Sequence, residues 1–196
     1  MIDIMKLNKE CQELRSNSLA LHSNACTKQW QNYMKFVEGE INHLSVKEAS
    51  ARLISEQNWM DRSQMKSSET LGIKVEIGDI CFIDFGKAFV YEAGYQHFGL
   101  VVSKCNGKAF VIPMTSNTAS YSQAYDEVYC PDGKKHLMRI GLVMGLNKPS
   151  VLFLNDAKYI NTARIIAKKA HIPPKDPLFK DVMRRLVECL FLNGEW

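Results

Sequence analysis

The first 70 residues contain no proline and only one glycine, Gly39, so little in this segment interrupts helix formation. The whole chain of 196 residues has no run of about 18 apolar residues, so no membrane-spanning helix is predicted. The N-terminus is charged and lacks the apolar stretch of a secretion signal. These absences predict a cytoplasmic protein that does not enter a membrane.

The six cysteines are widely spaced and form no C-x-x-C pair. This spacing argues against a zinc ribbon or a thioredoxin-like redox centre, and we expect reduced, structural thiols. A formal charge of +4 permits a polyanionic partner but is weaker than the basic footprint of a dedicated DNA-binding protein.

Hydrophobic periodicity predicts helices in the first part of the chain. Apolar residues recur at helical spacing between residues 25 and 41, and a shorter pattern through Ile4, Leu7, Cys11 and Leu14 suggests a further helix. Ser45 and Glu48 match a capping box that opens another helix, with Val46, Ala49, Leu53 and Ile54 on its apolar side. Residues 61–70 are polar and are predicted to be a linker.

From Val75 onward, alternating and β-branched residues predict short strands. Asn106-Gly107 is a strong hairpin signal between two of them. The predicted strands are Ile80–Phe85, Phe98–Ser103, Ala109–Met114, Val128–Cys130, Gly141–Met144 and Ser150–Leu154. Residues 156–166 suggest a short helix or turn, and residues 177–192 predict an amphipathic closing helix after Pro173-Pro174.

These elements predict an α+β fold in two parts. Residues 1–70 form a helical extension, and residues 71–196 form a small, strongly bent sheet or β-barrel with a C-terminal helix.

Five short motifs, in order, resemble toxins of the PemK/MazF family over residues 75–168. They are Gly78-Asp79 opening a strand, Glu92-Ala93-Gly94 in a loop, the strand His97–Ser103, Pro113-Met114-Thr115-Ser116 ending the next strand, and Leu146–Leu154 followed by Arg164. The family's Arg-Pro step is His97-Phe98 here. Residues 1–70 match nothing in the compact family pattern.

The resemblance implies an SH3-like barrel that works as a homodimer and is paired with a cognate antitoxin. It also implies a metal-independent endoribonuclease, with no cofactor, that cuts single-stranded RNA. In that reaction the ribose 2′-OH attacks the neighbouring phosphorus, which requires proton transfer and stabilisation of the phosphorane.

His97 is the central catalytic candidate because it stands where the family places a catalytic arginine. A histidine can donate or accept a proton near neutral pH, but it can also be a tolerated residue in a protein that has lost nuclease activity. Thr115 and Ser116 end the strand paired with the His97 strand and are candidates for hydrogen bonding to phosphate oxygens; equally, such residues often just end strands.

The loop before His97 supplies weaker candidates. Glu92 is a candidate catalytic residue that orients His97 or accepts from a base. Stacking, base-reading and backbone contacts to RNA are predicted for Tyr91, Tyr95, Gln96, Asn117, Lys87, Lys134, Lys135 and Arg139. Arg164 matches a family position and is expected to pair with a carboxylate such as Asp79 or Asp84.

Two other functions remain open from the sequence. One is a catalytically silent barrel that binds RNA or protein, and the other is a toxin that inhibits a protein target such as gyrase. The N-terminal helices are expected to pack on the barrel or on each other; the alternative is that they control assembly or dock a partner.

Overall fold

The computed structural model describes residues 2–12 and 19–191. Contacts divide the chain into two compact units, residues 1–50 and residues 51–196. The boundary falls inside a helix, Val46–Arg62 (α3), rather than at the predicted position, residue 70. Residues 51–70 therefore belong to the same compact unit as the β-sheet.

The first unit contains α1 (Ile4–Gln12), a 3₁₀ turn (Ala20–His22) and α2 (Asn24–Ile41). The main-chain N–H of Asp3 donates to the side chain of Gln29 at 2.9 Å and so fixes α1 to α2. Both helices lie where the periodicity predicts them, but Trp30 and Met34 of the apolar pattern in α2 are 61% and 47% exposed. Leu14, a member of the first pattern, lies outside the described residues.

The predicted capping box at the start of α3 is confirmed. The Ser45 hydroxyl donates to the Glu48 carboxylate at 2.6 Å, and this carboxylate also accepts from the Ser45 main-chain N–H at 3.0 Å. These bonds lower the pKa of Glu48, chiefly through the Ser45 side chain. The helix is therefore fixed at its first turn by its own sequence.

The second unit is built on seven antiparallel strands in one sheet. They are β1 (Asp79–Asp84), β2 (Gln96–Cys105), β3 (Lys108–Thr115), β4 (Leu137–Gly141), β5 (Ser150–Phe153), β6 (Lys158–Asn161) and β7 (Ile165–His171). The order is β4-β5-β3-β2-β1-β7, and β6 pairs with the far end of β3. Besides the part of α3 from Ala51 onward, this unit contains the helices α4 (Thr118–Gln123) and α5 (Pro177–Phe191).

The α+β class with a C-terminal helix is confirmed, but the predicted barrel is not closed. Within residues 51–191 no ladder joins β4 to β7. The loop after β4 approaches β7 without pairing with it: a Cβ added to Gly145 would lie only 2.7 Å from the Lys169 carbonyl oxygen. Gly145 also has a positive φ, so the chain turns here and does not continue as a strand.

The predicted hairpin between β2 and β3 is confirmed. Asn106 and Gly107 both have positive φ, 47° and 75°, as a two-residue type I′ turn requires. Past a bulge between Val101 and Ser103, the register pairs Phe98 with Met114. This register decides which side chains meet at the start of β2.

Each face of the sheet carries its own core. Helix α5 covers one face, the α5 face, where Phe179, Val182 and Leu186 pack with Ile80, Leu100, Ile112, Met114 and Leu152. The opposite face buries Cys81, Ile83, Val101, Val111, Ile160 and Ile165. The alternation follows the two-residue period of the strands.

Several local predictions were wrong. Residues 61–70 are not a plain linker, because α3 extends to Arg62 and a 3₁₀ turn (Ser68–Leu71) buries Ser68. The predicted strand at residues 128–130 is only a bridge between Asp126 and Cys130. The strand predicted at residues 141–144 instead ends at Gly141. The short helix or turn predicted within residues 156–166 is present as a 3₁₀ turn (Thr162–Arg164) that carries Arg164, but β6 and the start of β7 flank it.

Candidate functional site

One row of side chains crosses the opposite face of the sheet where β1 and β3 end and β2 begins. Register pairs place its members side by side: Arg139 with Val151, Val151 with Thr115, and His97 with Ile83, which pairs in turn with Ile165. Cross-strand partners share a face of the sheet. The row therefore carries two polar groups, His97 and Thr115, at its centre and Arg139 at one end.

His97 and Thr115 occupy neighbouring positions in this row. They lie one step beyond the Phe98–Met114 pair, so about one strand spacing of 4.8 Å separates their backbones. Both residues are half-buried. The Nδ1 atom of His97 is buried without a hydrogen-bond partner, so Nε2 is the ring nitrogen available to a ligand.

The segment after Thr115 turns directly into α4. The Asn117 main-chain N–H donates to the Thr115 hydroxyl oxygen at 3.2 Å, which leaves the Thr115 O–H as a donor. The Asn117 side chain caps α4 by accepting from the N–H groups of Ala119 and Ser120. Ser116 is exposed beside Thr115. Asn117 thus has a local structural task in addition to its predicted base-reading role.

Arg139 is held at the end of the row by α4. It donates to the Tyr121 carbonyl oxygen at 2.9 Å and lies 5.0 Å from the centre of the Tyr121 ring. Asp126 lies 3.5 Å from its guanidinium. Main-chain hydrogen bonds from Tyr129 and Val128, with Arg139 as a further cause, lower the pKa of Asp126. The ion pair partly neutralises the charge of Arg139, but the guanidinium stays at its end of the row.

Residues 86–95 form a loop with a narrow neck beside His97. Phe85 N–H donates to the Tyr95 carbonyl oxygen at 2.7 Å, and Tyr95 N–H donates to that of Gly86 at 2.6 Å. At the tip, Tyr91 is fully exposed with a φ of 73°. The Glu92 carboxylate accepts from the Phe89 N–H at 3.3 Å, so it braces the loop and is not bonded to His97.

Two anchors of this loop carried no signal in the sequence. The Asp156 carboxylate accepts from the Ala93 N–H at 2.6 Å and pairs with Lys158 at 2.7 Å. At the base of the loop, Lys87 pairs with Glu56 of α3 at 2.5 Å. Each anchor joins residues distant in sequence, a relation that no local pattern encodes.

Helix α3 also contacts the residue before His97. The Gln96 side chain, a predicted RNA reader, donates to the Ala51 carbonyl oxygen at 3.1 Å. On the same side, Asp84 accepts from Ser55 at 2.5 Å and from Asn58 at 2.9 Å. Two polar side chains of α3 therefore hold the end of β1, and the Ala51 main-chain carbonyl holds the start of β2, which the sequence analysis did not foresee.

The remaining basic candidates lie elsewhere. Lys134 and Lys135 are exposed in the segment that enters β4, at the end of that strand away from Gly141. Arg164 donates to the main-chain oxygens of Asp84 and Phe85, at 3.2 and 3.1 Å, and not to a carboxylate as predicted. Its contact with main-chain oxygens fixes the exit of β1 into the loop.

Asp79, at the other end of β1, forms a separate charged cluster. It is 1% exposed and contacts Lys168 at 2.8 Å and His171 at 2.9 Å. The hydrogen bond with Asp79 raises the pKa of Lys168. This cluster stabilises the pairing of β1 with β7 and is distinct from the His97 row.

In the described ranges no three His, Cys, Asp or Glu side chains come together to hold a metal ion. Likewise, none of the helices in these ranges is long and apolar enough to span a membrane. All six cysteines are free thiols.

Comparison with known proteins finds no matching family model and no matching curated protein. Solved structures similar to this chain include MazF of Deinococcus radiodurans, at 16% identity over 60% of this chain and 97% of that one, with a TM-score of 0.45. The Mycobacterium tuberculosis toxin MazF-mt6 is 13% identical over 59% of this chain and 99% of its own, with a TM-score of 0.41.

A mycobacterial endoribonuclease in complex with its cognate antitoxin is also similar, at 10% identity over 62% of this chain and 99% of its own, with a TM-score of 0.43. The similar structures thus include members of the family that the sequence motifs resemble.

Proposed function

We propose that this chain is an RNA-cleaving toxin of the PemK/MazF kind, a metal-independent endoribonuclease that cuts single-stranded RNA. The observation that carries the proposal is the placement of His97 and Thr115 side by side on one face of the sheet, next to a loop with an exposed aromatic tip. The matching motifs in the sequence support it.

The chemistry requires two proton transfers. The 2′-OH loses a proton and its oxygen bonds to phosphorus, while the bond from phosphorus to the 5′ oxygen breaks and that oxygen gains a proton. The Nε2 atom of His97 can accept the first proton or deliver the second. Thr115 and Ser116 donate hydrogen bonds to the non-bridging oxygens as charge develops on them.

In this proposal, RNA binds to the loop at residues 86–95 and to the end of the row at Arg139. Tyr91 is exposed for stacking on a base, and Tyr95 lies at the neck of the loop beside His97. Arg139 at the end of the row and Lys87 at the base of the loop supply basic groups for the RNA backbone, although Asp126 and Glu56 partly neutralise them. Glu92 then contributes indirectly, because its hydrogen bond to the Phe89 N–H holds the shape of the loop. Within this proposal the protein works as a homodimer in the cytoplasm and is neutralised by a cognate antitoxin.

Incubation with single-stranded RNA in EDTA tests the proposal. The expected products carry a 2′,3′-cyclic phosphate and a 5′-OH. His97→Ala is expected to abolish their formation, and Thr115→Val to reduce it by roughly 100-fold, the loss of one transition-state donor. Circular dichroism of both variants controls for folding. No cleavage of varied RNAs by freshly purified, antitoxin-free protein contradicts the proposal.

A further inference from the structure

Helix α2 has one face that packs inside its unit and one that does not. Ala25 and Gln29 lie on the first face and are buried, and the hydrogen bond from Asp3 to Gln29 holds α1 there. No other residue is buried within the described parts of residues 1–50. The second face is the apolar pattern of the sequence, called the α2 stripe below: Trp30, Met34, Val37 and Ile41.

The α2 stripe is open to solvent. Trp30 is 61% exposed and Met34 is also exposed, while Val37 and Ile41 are half-buried. A large aromatic side chain can bury about 150–250 Å², so Trp30 alone leaves roughly 90–150 Å² uncovered. Helices gain most of their stability from packing, and this helix buries only two residues. An exposed apolar stripe on such a helix marks a binding surface.

The spacing of the stripe indicates which kind of partner it fits. Its residues follow one another at intervals of four, three and four, which is the a/d repeat of a coiled-coil seam. Such a seam packs against another helix with the same repeat, and a second copy of α2 carries it. In an antiparallel pair, Met34 lies opposite the partner's Val37, and Trp30 lies opposite the partner's Ile41. Each large side chain then meets a smaller β-branched one.

The charges on α2 fit a copy that runs in the opposite direction. Lys28 and Lys35 come earlier in the helix, whereas Glu38 and Glu40 lie in its last turn, which holds no basic residue. All four are exposed, and none forms an ion pair with another described residue. Carboxylates at a helix C-terminus oppose the dipole of their own helix. An antiparallel copy places its basic N-terminal half beside them, whereas a parallel copy places acidic ends together.

One pair of charges on α2 is placed to reach across the stripe. Gln31, Lys35 and Glu38 recur at intervals of four and three, so they line one flank of the stripe. In the antiparallel pair this flank faces the same flank of the partner. Lys35 then lies within one helical turn of the partner's Glu38, and the twofold axis repeats the contact. The surface is therefore complementary to itself in charge as well as in shape.

We propose that α2 pairs antiparallel with α2 of a second copy of this chain, which makes the α2 stripe a self-association surface. The proposal does not depend on nuclease activity or on a dimer formed through the sheet. A twofold contact of this kind is isologous and closes on itself. Because the uncovered area is small, the association is weak, with a Kd in the micromolar range.

Sedimentation equilibrium of the full-length protein tests the α2 stripe. The mass of the wild type is expected to rise reversibly between about 1 and 200 μM, the range of weak association. Met34→Glu is expected to weaken self-association at least about tenfold, because each pair would bury two carboxylates. The matched control is Met60→Glu on α3, where Met60 is 68% exposed, and it should change Kd by no more than about twofold. Circular dichroism of dilute samples controls for folding.

Charge reversal tests the direction of pairing without relying on the apolar residues. Lys35→Glu and Glu38→Lys are each expected to weaken self-association about fivefold, because each pair then has two like-charge contacts. An equimolar mixture of the two variants is expected to associate about as tightly as the wild type, since both contacts across the axis again join opposite charges. A parallel pair has no contact between these positions, so its mixture would stay as weak as either variant.

Three outcomes overturn the proposal. A wild-type mass that does not rise with concentration leaves the α2 stripe to a partner of a different sequence. Association that Met34→Glu and Met60→Glu affect equally must use another surface, such as the sheet. Finally, if mixing Lys35→Glu with Glu38→Lys does not restore association, the antiparallel arrangement is wrong. Loss with Met34→Glu together with recovery in the mixture supports the proposal, whether or not the protein cuts RNA.

Discussion

The hydroxyl of Ser55 donates a 2.5 Å hydrogen bond to the carboxylate of Asp84, which is only 4% exposed. Asn58 and the Gly86 N–H donate to the same carboxylate. The Asp84 carboxylate therefore fixes the middle of α3 to the end of β1, where the loop beside His97 begins. The contact between helix and sheet is therefore polar at its centre.

Ser55→Ala is expected to destabilise the protein by roughly 1.5–3 kcal/mol, the usual contribution of a hydrogen bond to a charged group. The matched control is Gln57→Ala on the same helix, because Gln57 is exposed and bonds only Asp61. Its expected loss is below about 0.5 kcal/mol. Urea unfolding measures both, and equal losses in the two variants would show that the Asp84 contact contributes little.

Truncation tests the division of the chain. A protein beginning at Leu44 keeps the capping box and all of α3, and is expected to remain soluble with a cooperative thermal transition. A protein beginning at Leu71 loses Ser55, Asn58, Arg62 and the hydrogen bond from Ser68 to Thr162. Buried Asp84 is then left without its helix donors, a loss of several kcal/mol. We expect it to be insoluble or to melt without cooperativity; a well-folded product contradicts this.

The sequence predicted what depends on local chemistry. A few adjacent residues were enough to predict the Asn106-Gly107 turn, the capping box at Ser45 and the closing helix from Pro177. The position of the turn also predicted that His97 and Thr115 are neighbours. Residue 192, the predicted end of that helix, lies outside the described residues.

The sequence could not predict how α3 meets the sheet. Leu53 and Ile54, the expected apolar contacts, are 55% and 49% exposed, whereas buried Ser55 faces Asp84. Hydrophobic periodicity predicts apolar packing, but it does not predict a polar contact between residues distant in sequence. The contact of Asp156 with the loop was hidden for the same reason. The sequence also did not predict that β4 and β7 stay unpaired, because the residues around Gly145 have no sequence pattern that distinguishes a loop from a strand.

Gly78→Ala is expected to cost more than about 3 kcal/mol, because strain and a steric clash combine. Gly78 has a φ of 95°, and an added Cβ would lie 2.2 Å from the Ile172 carbonyl oxygen. Gly141 is the control, with a φ of 65° but no atom within 4 Å of such a Cβ. There only the left-handed backbone is penalised, by about 1–2 kcal/mol. Denaturant unfolding that gives equal losses contradicts the steric part.

Cys81 is expected to resist alkylation in the native protein. Burial, with the Asp79 charge as a second cause, raises the pKa of its thiol to about 12, whereas Cys105 is exposed. Iodoacetamide at pH 8 followed by mass spectrometry should therefore modify Cys105 and spare Cys81 until urea is added. Rapid native labelling of Cys81 would contradict its burial.

The same raised pKa predicts a loss of stability at high pH. Between about pH 9 and pH 12 the unfolded chain releases the Cys81 proton while the folded protein retains it, so the free energy of unfolding falls as pH rises. The slope approaches about 1.4 kcal/mol per pH unit. Cys81→Ala is expected to remove this part of the decline and Cys105→Ala to leave it, when urea unfolding is compared at pH 8 and pH 10.

Asp156→Asn is expected to loosen the loop at residues 86–95. The Asp156 side chain is only 13% exposed, and it accepts from the Ala93 N–H while pairing with Lys158. Neutralising it weakens a charge-assisted hydrogen bond worth roughly 1.5–3 kcal/mol, so exchange of the Ala93 amide should accelerate at least tenfold. Glu56→Gln removes the other anchor, but Lys87 and Glu56 are about half exposed, and such pairs contribute below about 1 kcal/mol. Hydrogen exchange by NMR compares the two variants. A larger acceleration in Glu56→Gln would mean that α3, rather than Asp156, holds the loop.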